Sequence, residues 1–290
     1  MRKEFPHDFV AGRLHVYSQS KILPQTTLQF KDKITKLLKE SGPYKEPTKW
    51  RSVWVFANVE EKEIDGDKVL FGIFGKIKEK GMENTYDIQT KRLTKFYIDK
   101  NIAQSFAFFI INPKTQVIIF EEKKNLRHKK FKKMFARTYN FFYDQDTTLE
   151  VDLLKDETEL LDDLETKKVI RIVFNIRPSN PETRREYELI DDLLQKARAE
   201  SAEIKLENED KGLSFEEKGL TRQGVGSVSA GYGDYKATVE VDDEVKTISS
   251  KDSILREVIY ISDFSAEKVI DIINKFKKYF KSQYEKGDNK

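Results

Sequence analysis

Alternation of apolar and polar residues, together with enrichment in β-branched and aromatic side chains, predicts strands through the first half of the chain. These stretches are 13–18, 50–59, 69–77, 93–98, 105–111 and 116–121. Asp65-Gly66 lies between the second and the third, and this dipeptide is typical of a tight hairpin turn. The first half is therefore predicted to consist mainly of antiparallel strands.

The most apolar region of the chain runs over 106–111 and resumes over 117–120. Asn112, Pro113 and Lys114 interrupt it, and residues of these types favour a turn over a continuous strand. No apolar run approaches the roughly 18 residues that mark a membrane-spanning helix. The pattern therefore predicts a hairpin of two buried strands, and no membrane is expected as a partner.

Apolar positions recur every three or four residues in other stretches, which predicts helices. The first is capped by Thr26 or Thr27 and ends at Gly42, the second spans 126–142, the third begins at Pro181 behind an Asn180 cap, and the last follows Ser265. Each helix follows at least one predicted strand, so strands and helices are mixed along the whole chain.

Four strands are predicted in the second half, at 169–176, 235–241, 245–249 and 256–262. In the first of them the apolar positions share one face: Ile170, Ile172, Phe174 and Ile176. The order of elements resembles a ferredoxin-like split unit, in which helices cover one face of an antiparallel sheet. The predicted fold class is α+β, with two domains of mainly antiparallel sheet and packed helices.

The length of 290 residues favours two domains, because a single hydrophobic core stops growing at roughly 250 to 300 residues. Residues 144–166 carry ten acids and one base, Lys155. Leucines within this segment are spaced so that part of it forms a helical docking face. We therefore predict a strand-rich domain over 1–143, an acidic connector over 144–166 and an α+β domain over 167–290.

Composition narrows the classes of function. The 53 basic and 50 acidic residues nearly cancel, so any electrostatic recognition must be local. The absence of cysteine excludes disulfides, thiolate metal sites and thiol nucleophiles, and fits a reducing compartment. Residues 1–10 lack the apolar run of a secretory signal. A cytoplasmic protein without a cofactor is the resulting expectation.

The most suggestive feature is the stretch 123–142, which carries eight bases and no acid. Phe131, Met134, Phe135 and Tyr139 fall at helical spacing and can pack on a sheet, which leaves most of the bases facing solvent. Such a face neutralises phosphates in a salt-sensitive, sequence-independent way. The candidate nucleic-acid contacts are Lys123, Lys124, Arg127, Lys129, Lys130, Lys132, Lys133 and Arg137.

The acidic segment 144–166 offers an alternative explanation for these bases, since it follows them directly in the chain. Charge runs of opposite sign can face each other within one molecule or across a homo-oligomer. A third interpretation combines both, with the acidic segment masking the basic helix until a polyanion displaces it. The sequence leaves these interpretations open.

A glycine-rich stretch at 224–236 is a second candidate site, because backbone freed by glycine can approach a ligand closely. The nucleotide-binding fingerprints are absent, since the stretch leads into a strand and lacks the Gly-Lys-Ser/Thr ending. Its tyrosines are candidates for stacking on bases, although a mobile loop or a tight strand entry explains the same pattern. The candidate loop residues are Gly224, Gly226, Gly231, Tyr232, Gly233 and Tyr235.

Acid-x-Lys triplets raise the alternative of a metal-dependent nuclease, in which carboxylates hold Mg²⁺ and lysine stabilises developing charge. The triplet of interest is Glu203-Ile-Lys205, with Asp191 or Asp192 upstream. A chain with this many charges contains roughly nine acid-x-base triplets by chance. The three histidines, His7, His15 and His128, form no pair at metal-ligand spacing. No metal site is therefore predicted.

These features favour a nonenzymatic cytosolic binding protein that contacts the nucleic-acid phosphate backbone through the basic helix, within a larger complex. The alternative is a protein-binding or oligomeric scaffold that uses the same bases to contact an acidic protein surface. A divergent metal-dependent nuclease is the second alternative.

Overall fold

The computed structural model describes residues 4–18, 27–46, 52–87, 92–98, 100, 102–143, 147–179, 187–242, 244–251, 253–262 and 266–280. The strands in these ranges are β1 (Phe5–Ser18), β2 (Tyr44–Lys45), β3 (Ser52–Ile64), β4 (Asp67–Lys78), β5 (Gly81–Asp87), β6 (Arg92–Ile98), β7 (Ile102–Asn112), β8 (Val117–Glu122), β9 (Thr147–Leu153), β10 (Lys168–Ile176), β11 (Ala202–Glu207), β12 (Gly233–Val241), β13 (Glu244–Ser249) and β14 (Arg256–Ile261). The helices are α1 (Thr27–Glu40), α2 (His128–Phe142), α3 (Glu157–Glu165), α4 (Glu188–Ala197), α5 (Leu220–Ser229), α6 (Ala266–Lys275) and α7 (Lys277–Phe280). The fold is α+β with antiparallel sheets, as the sequence predicts. The described strands form a large sheet, a small sheet and a separate antiparallel pair, β5 and β6.

The large sheet has the strand order β14-β1-β8-β7-β4-β3-β2, and β9 also pairs with β1. All of these pairs are antiparallel. Strand β1 is long enough to pair with β14 through residues 5–10 and with β9 through residues 12–18. A strand from the C-terminal part of the chain and a strand from the acidic segment therefore both join the sheet built by the first half.

Helices cover both faces of the large sheet. Phe109 and Phe120 lie in the core beneath α1 and α2. Their chain neighbours Phe108 and Ile119 lie in the core on the opposite face, beneath α6 and α7. Because successive strand residues point to opposite faces, a sheet covered on both sides requires a continuous apolar run. This arrangement confirms the predicted hairpin of two buried strands, β7 and β8.

The small sheet has the strand order β11-β10-β12-β13, also antiparallel, and its main core lies on one face. Ile172, Phe174 and Ile176 are buried in that core, as their spacing predicts. A register shift between Val169 and Arg171 places Val169 in the core, whereas Ile170 is only partly buried. The rest of β10 alternates between buried and exposed side chains. This alternation indicates that the small sheet buries mainly one of its two faces.

The small sheet departs from the ferredoxin-like order. Its elements follow one another as β10-α4-β11-α5-β12-β13, because the first part of the glycine-rich stretch forms α5. One of the strands predicted in the second half, β14, pairs with β1 of the large sheet and does not join the small sheet. The split unit has two adjacent strands between its helices, whereas here a single strand, β11, separates α4 from α5.

Each of the two sheets, taken with the helices that pack on it, is built from elements that lie on both sides of a predicted domain boundary, at 143 or 167. The predicted connector supplies β9 to the large sheet and α3 to the core of the small sheet. The C-terminal elements β14 and α6 return to the large sheet. The Asn180 cap, Pro181 and the Ser265 cap lie outside the described residues. Within the described ranges, no helix combines the length and apolar character required to span a bilayer.

Candidate polyanion-binding cleft

Helix α2 has the amphipathic packing that its sequence predicts. Phe131, Met134, Phe135 and Tyr139 are buried against the large sheet. Glu122, at the end of β8, accepts hydrogen bonds from the backbone N–H of His128 at 3.1 Å and from its ring Nδ1 at 2.6 Å. A carboxylate at this end of a helix also interacts favourably with the helix dipole. Strand β8 therefore sets where α2 begins and how it is oriented.

The eight predicted bases do not share one face. Lys129, Lys132 and Lys133 line a cleft of about 1070 Å³, as expected for residues three and four positions apart on a helix. Lys123 pairs with Glu121, with 3.2 Å between the ammonium and a carboxylate oxygen. The other bases do not line this cleft: Lys124, Arg127, Lys130 and Arg137.

The cleft lies where the two sheets meet. One wall is formed by α2 and β9, which belong to the large sheet and its cover. The opposite wall is formed by the end of β10, the start of β12 and the segment after β13. Strand β9 runs directly into α3, so the chain passes from one sheet to the other along this cleft. Neither half of the sequence contains the site alone.

Three further cations reach the cleft from outside α2, and the sequence-based prediction did not include them. They are Lys155, Arg177 and Lys251. Lys155 was visible as the single base among the ten acids of 144–166. Arg177 directly follows a predicted strand, whereas no feature of the sequence singles out Lys251. Three carboxylates also line the cleft, those of Glu150, Asp152 and Asp234.

The two carboxylates of β9 are held by Arg177. Its Nη1 donates to Glu150 at 2.5 Å, to the Tyr17 hydroxyl at 2.9 Å and to Asp152 at 3.4 Å. Burial raises the pKa of Tyr17 to about 12, so its hydroxyl remains protonated at neutral pH. The arrangement ties β10 of the small sheet to β1 and β9 of the large sheet. It also neutralises part of the acidic wall of the cleft.

The acids of 144–166 make most of their ion pairs with bases outside α2. In the described residues, Glu157 pairs with Lys278 and Glu165 pairs with Arg222. Asp163 pairs with Lys167, and Asp156 caps α3. Asp152 and Glu150 act on the charge of Lys132 without forming an ion pair with it. Masking of the whole basic helix by this segment therefore remains a hypothesis, and the contact that bears on it is the effect of Asp152 and Glu150 on Lys132.

Two lysines in the cleft are partly desolvated. Lys155 is 7% exposed, and its Nζ donates to the Gly233 carbonyl at 2.9 Å and to Ser250 Oγ at 3.1 Å. Burial lowers the pKa of Lys155 to about 8, although Asp234 and Asp152 oppose the shift. Burial also lowers the pKa of Lys132. Both ammonium groups therefore lie in surroundings that disfavour their charge.

The glycine-rich candidate residues pack inside the protein. Gly224 and Gly226 lie within α5, where a Cβ on Gly224 would come within 2.7 Å of the Phe174 ring. Gly231 has a φ of +81°, which glycine adopts without strain. Tyr232 and Tyr235 are each 1% exposed, so neither ring is available to stack on a base. Gly233 is the member of this group that lines the cleft, where its carbonyl accepts the bond from Lys155.

The acid-x-Lys triplets form local ion pairs. Glu203 and Lys205 lie exposed on β11, and Lys205 pairs with Glu207 at 2.6 Å. Asp191 is buried and accepts hydrogen bonds from the backbone N–H and the hydroxyl of Ser179. Asp192 pairs with Lys196 on the helix surface. Among the residues that the structure describes, no three His, Asp or Glu side chains converge to hold a metal ion.

The fold and the cleft define an α+β protein in which two antiparallel sheets meet at a cation-rich cleft. Residues 23–279 match the family described as a domain of unknown function, DUF4747. Because the match covers most of the 290 residues, the chain belongs to this family. No curated protein matches the chain.

Proposed function

We propose that the protein is a nonenzymatic binding protein that holds the phosphate backbone of a nucleic acid in the cleft between its two sheets. The observation that carries the proposal is the excess of positive charge in that cleft. Six bases line it, against three carboxylates: Lys129, Lys132, Lys133, Lys155, Arg177 and Lys251. Because the whole chain is nearly neutral, this local excess is the feature that favours an anionic ligand.

The size of the cleft also supports an extended ligand. Its volume of about 1070 Å³ lies just above the roughly 300 to 1,000 Å³ that is typical of small-molecule pockets. Lys129 and Lys133 are exposed on the α2 side, where long side chains can follow a phosphate chain without desolvation. The proposed contacts with nucleic acid thus include fewer bases of α2 than the sequence predicts. They add bases from outside α2.

An acidic protein surface is the alternative ligand, and the mixed lining of the cleft is the observation that favours it. Glu150, Asp152 and Asp234 lie among the bases, and alternating charges of this kind can match a protein partner. Such a partner would bury complementary charges instead of releasing condensed counterions. The salt dependence of binding therefore distinguishes the two ligands.

The test is a titration of labelled single-stranded DNA, double-stranded DNA and single-stranded RNA, each about 20 nucleotides long, between about 50 and about 200 mM salt. The variant is Lys129→Gln with Lys133→Gln, which removes two exposed bases of the cleft. The matched control is Lys124→Gln with Arg137→Gln, which removes the same charge outside the cleft. We expect roughly tenfold weaker binding and a salt slope reduced by about 2 for the cleft variant.

Two results would contradict the proposal. The first is no measurable binding of any nucleic acid at low salt. The second is an equal loss of affinity in the cleft variant and in the control variant, because net charge alone would then explain binding. Binding of an acidic peptide with no preference for nucleic acid would support the alternative.

A further inference from the structure

We propose that Lys132 and Lys155 form an inner site of the cleft that takes a terminal phosphate group, such as the phosphomonoester at the end of a nucleic-acid strand. This inference rests on the proposed function, because it names the group that the cleft selects. The cleft would then have an outer surface that contacts any phosphate backbone and an inner site that recognises the end of a strand.

The ammonium group of Lys155 is placed to bind one more acceptor. Its two hydrogen bonds, to Gly233 and Ser250, use two of its three N–H groups. The described residues provide no third partner at hydrogen-bond distance, and the side chain lines the cleft. The two protein acceptors fix the position of the charge, so a phosphate oxygen arriving from the cleft would meet a preorganised donor.

Neither inner lysine forms an ion pair with a described carboxylate. The nearby acids are engaged elsewhere: Asp152 contacts Arg177 at 3.4 Å, and Asp234 contacts Lys251 at 3.7 Å. Glu150, which also faces Lys132, is held by Arg177. The charges of the two lysines are therefore compensated only in part, by carboxylates that already pair with other bases.

The two inner ammonium groups also repel each other, since the charge of Lys132 lowers the pKa of Lys155, as does that of Lys251. A desolvated cation without a close anion is unfavourable, and it becomes favourable when an anion enters the same space. An anionic group between Lys132 and Lys155 would raise the pKa of both. Binding should therefore be accompanied by proton uptake near pH 8, where Lys155 titrates.

A terminal phosphate fits this site better than a phosphate within a strand. A phosphomonoester carries a charge of about −1.5 to −2 at neutral pH and presents three acceptor oxygens. An internal phosphodiester carries one charge and has a sugar on each side. Lys155 is nearly buried, so a group at the end of a chain can reach it with less steric hindrance.

The experiment compares one oligonucleotide carrying a 5′-phosphate, a 3′-phosphate or only hydroxyl ends, together with adenosine monophosphate and adenosine. We expect the phosphorylated form of each pair to bind roughly tenfold more tightly, as for a charge-assisted contact in a desolvated site. Lys155→Met and Lys132→Met should remove this preference. Lys129→Gln should weaken the oligonucleotides alike and keep the preference.

The mononucleotide pair distinguishes a free nucleotide from a strand end. Preference for adenosine monophosphate with no preference between the oligonucleotides would assign the site to nucleotides and overturn recognition of strand ends. Equal binding of phosphorylated and hydroxyl ends, with backbone binding intact, would overturn the inner site and leave the proposed function standing. If no oligonucleotide binds, the proposed function fails, and with it the inner site as a site for strand ends.

A calorimetric measurement provides a readout that does not depend on affinity. Titration of the phosphorylated ligand near pH 8 in two buffers of different ionisation enthalpy reports the protons taken up on binding. We expect net uptake for the wild-type protein and a smaller uptake for Lys155→Met. If Lys155→Met does not fold, Ser250→Ala provides the second variant, because it removes one acceptor and leaves the charge. No proton uptake in the wild-type protein would contradict the inner site.

Discussion

The large sheet and the small sheet bury their side chains in different ways. The large sheet has a hydrophobic core on each face, under α1 and α2 on one side and under α6 and α7 on the other. The small sheet has its main core on one face, while β13 exposes most of its residues and β11 alternates between exposed and partly buried ones. The difference teaches that a continuous apolar run indicates a central, doubly covered strand, whereas alternation indicates a half-exposed one.

The junction between the sheets differs from both cores because it buries polar and charged groups. Arg13 of β1 is 1% exposed and donates to the carbonyls of Ala230 and Thr115 at 2.6 and 2.7 Å. Its guanidinium also lies 4.4 Å from the centre of the Tyr232 ring. Directional bonds of this kind fix how two sheets are oriented, which apolar contacts do less specifically. The candidate cleft lies along this junction.

The largest expected effect is in the doubly covered sheet. Phe131→Ala removes a buried ring that stacks on Phe120 with 4.0 Å between ring centres. We expect the free energy of unfolding to fall by about 4 kcal/mol, measured by chemical denaturation. Phe141→Ala is the control on the same helix, since this ring is 60% exposed and should cost less than about 1 kcal/mol. Equal losses would mean that α2 is not packed as described.

The junction should respond nearly as strongly. Arg13→Ala leaves the carbonyls of Ala230 and Thr115 without their buried donor, so we expect a loss of about 3 kcal/mol in unfolding free energy. Arg171→Ala is the matched control, because this arginine forms an exposed ion pair with Glu207 and should contribute at most about 1 kcal/mol. A loss no larger than that of the control would show that the junction does not depend on this residue.

In the small sheet, the single covered face still requires close packing. Gly224→Ala places a methyl group 2.7 Å from the Phe174 ring, and overpacking of this kind typically costs about 2 kcal/mol. Gly42→Ala is the control, since among the described residues no atom beyond its chain neighbours lies within 4 Å of the added group. Thermal unfolding of both variants checks the contrast. An unchanged melting temperature for Gly224→Ala would indicate that α5 can move away from the sheet.

The smallest expected effect is the pH dependence of stability that arises from Lys155, the buried lysine of the junction. Lys155 has a lowered pKa in the folded state, so the unfolded chain binds more protons between pH 8 and the ordinary lysine value of 10.5. The contribution of this group to stability is therefore least favourable below pH 8 and improves as the pH rises. Relative to Lys155→Met, the free energy of unfolding of the wild-type protein should increase on the order of 1 kcal/mol per pH unit above about pH 8. Parallel stability curves for the two proteins would contradict this assignment.

Local patterning was enough to locate most strands and helices of this chain. The buried hairpin of β7 and β8 and the apolar stripe of α2 follow from the spacing of a few residues, because burial alternates with the period of the backbone. The same patterning predicted that leucines of the acidic segment dock as a helix, and Leu160, Leu161 and Leu164 of α3 are buried. It misassigned the glycine-rich stretch, because local pattern does not show that Gly224 of α5 packs against the Phe174 ring, where a Cβ would clash.

Contacts between distant parts of the chain set the rest. The pairing of β1 with both β9 and β14 depends on backbone hydrogen bonds that any sequence of suitable length can form, so local patterning does not reveal it. The cleft has the same origin, because Lys132, Lys155 and Arg177 become neighbours only when the two sheets meet. Helical spacing predicted a basic face on α2. The long-range packing brought three of its bases into the cleft and placed beside them the two lysines and the arginine that add to its positive charge.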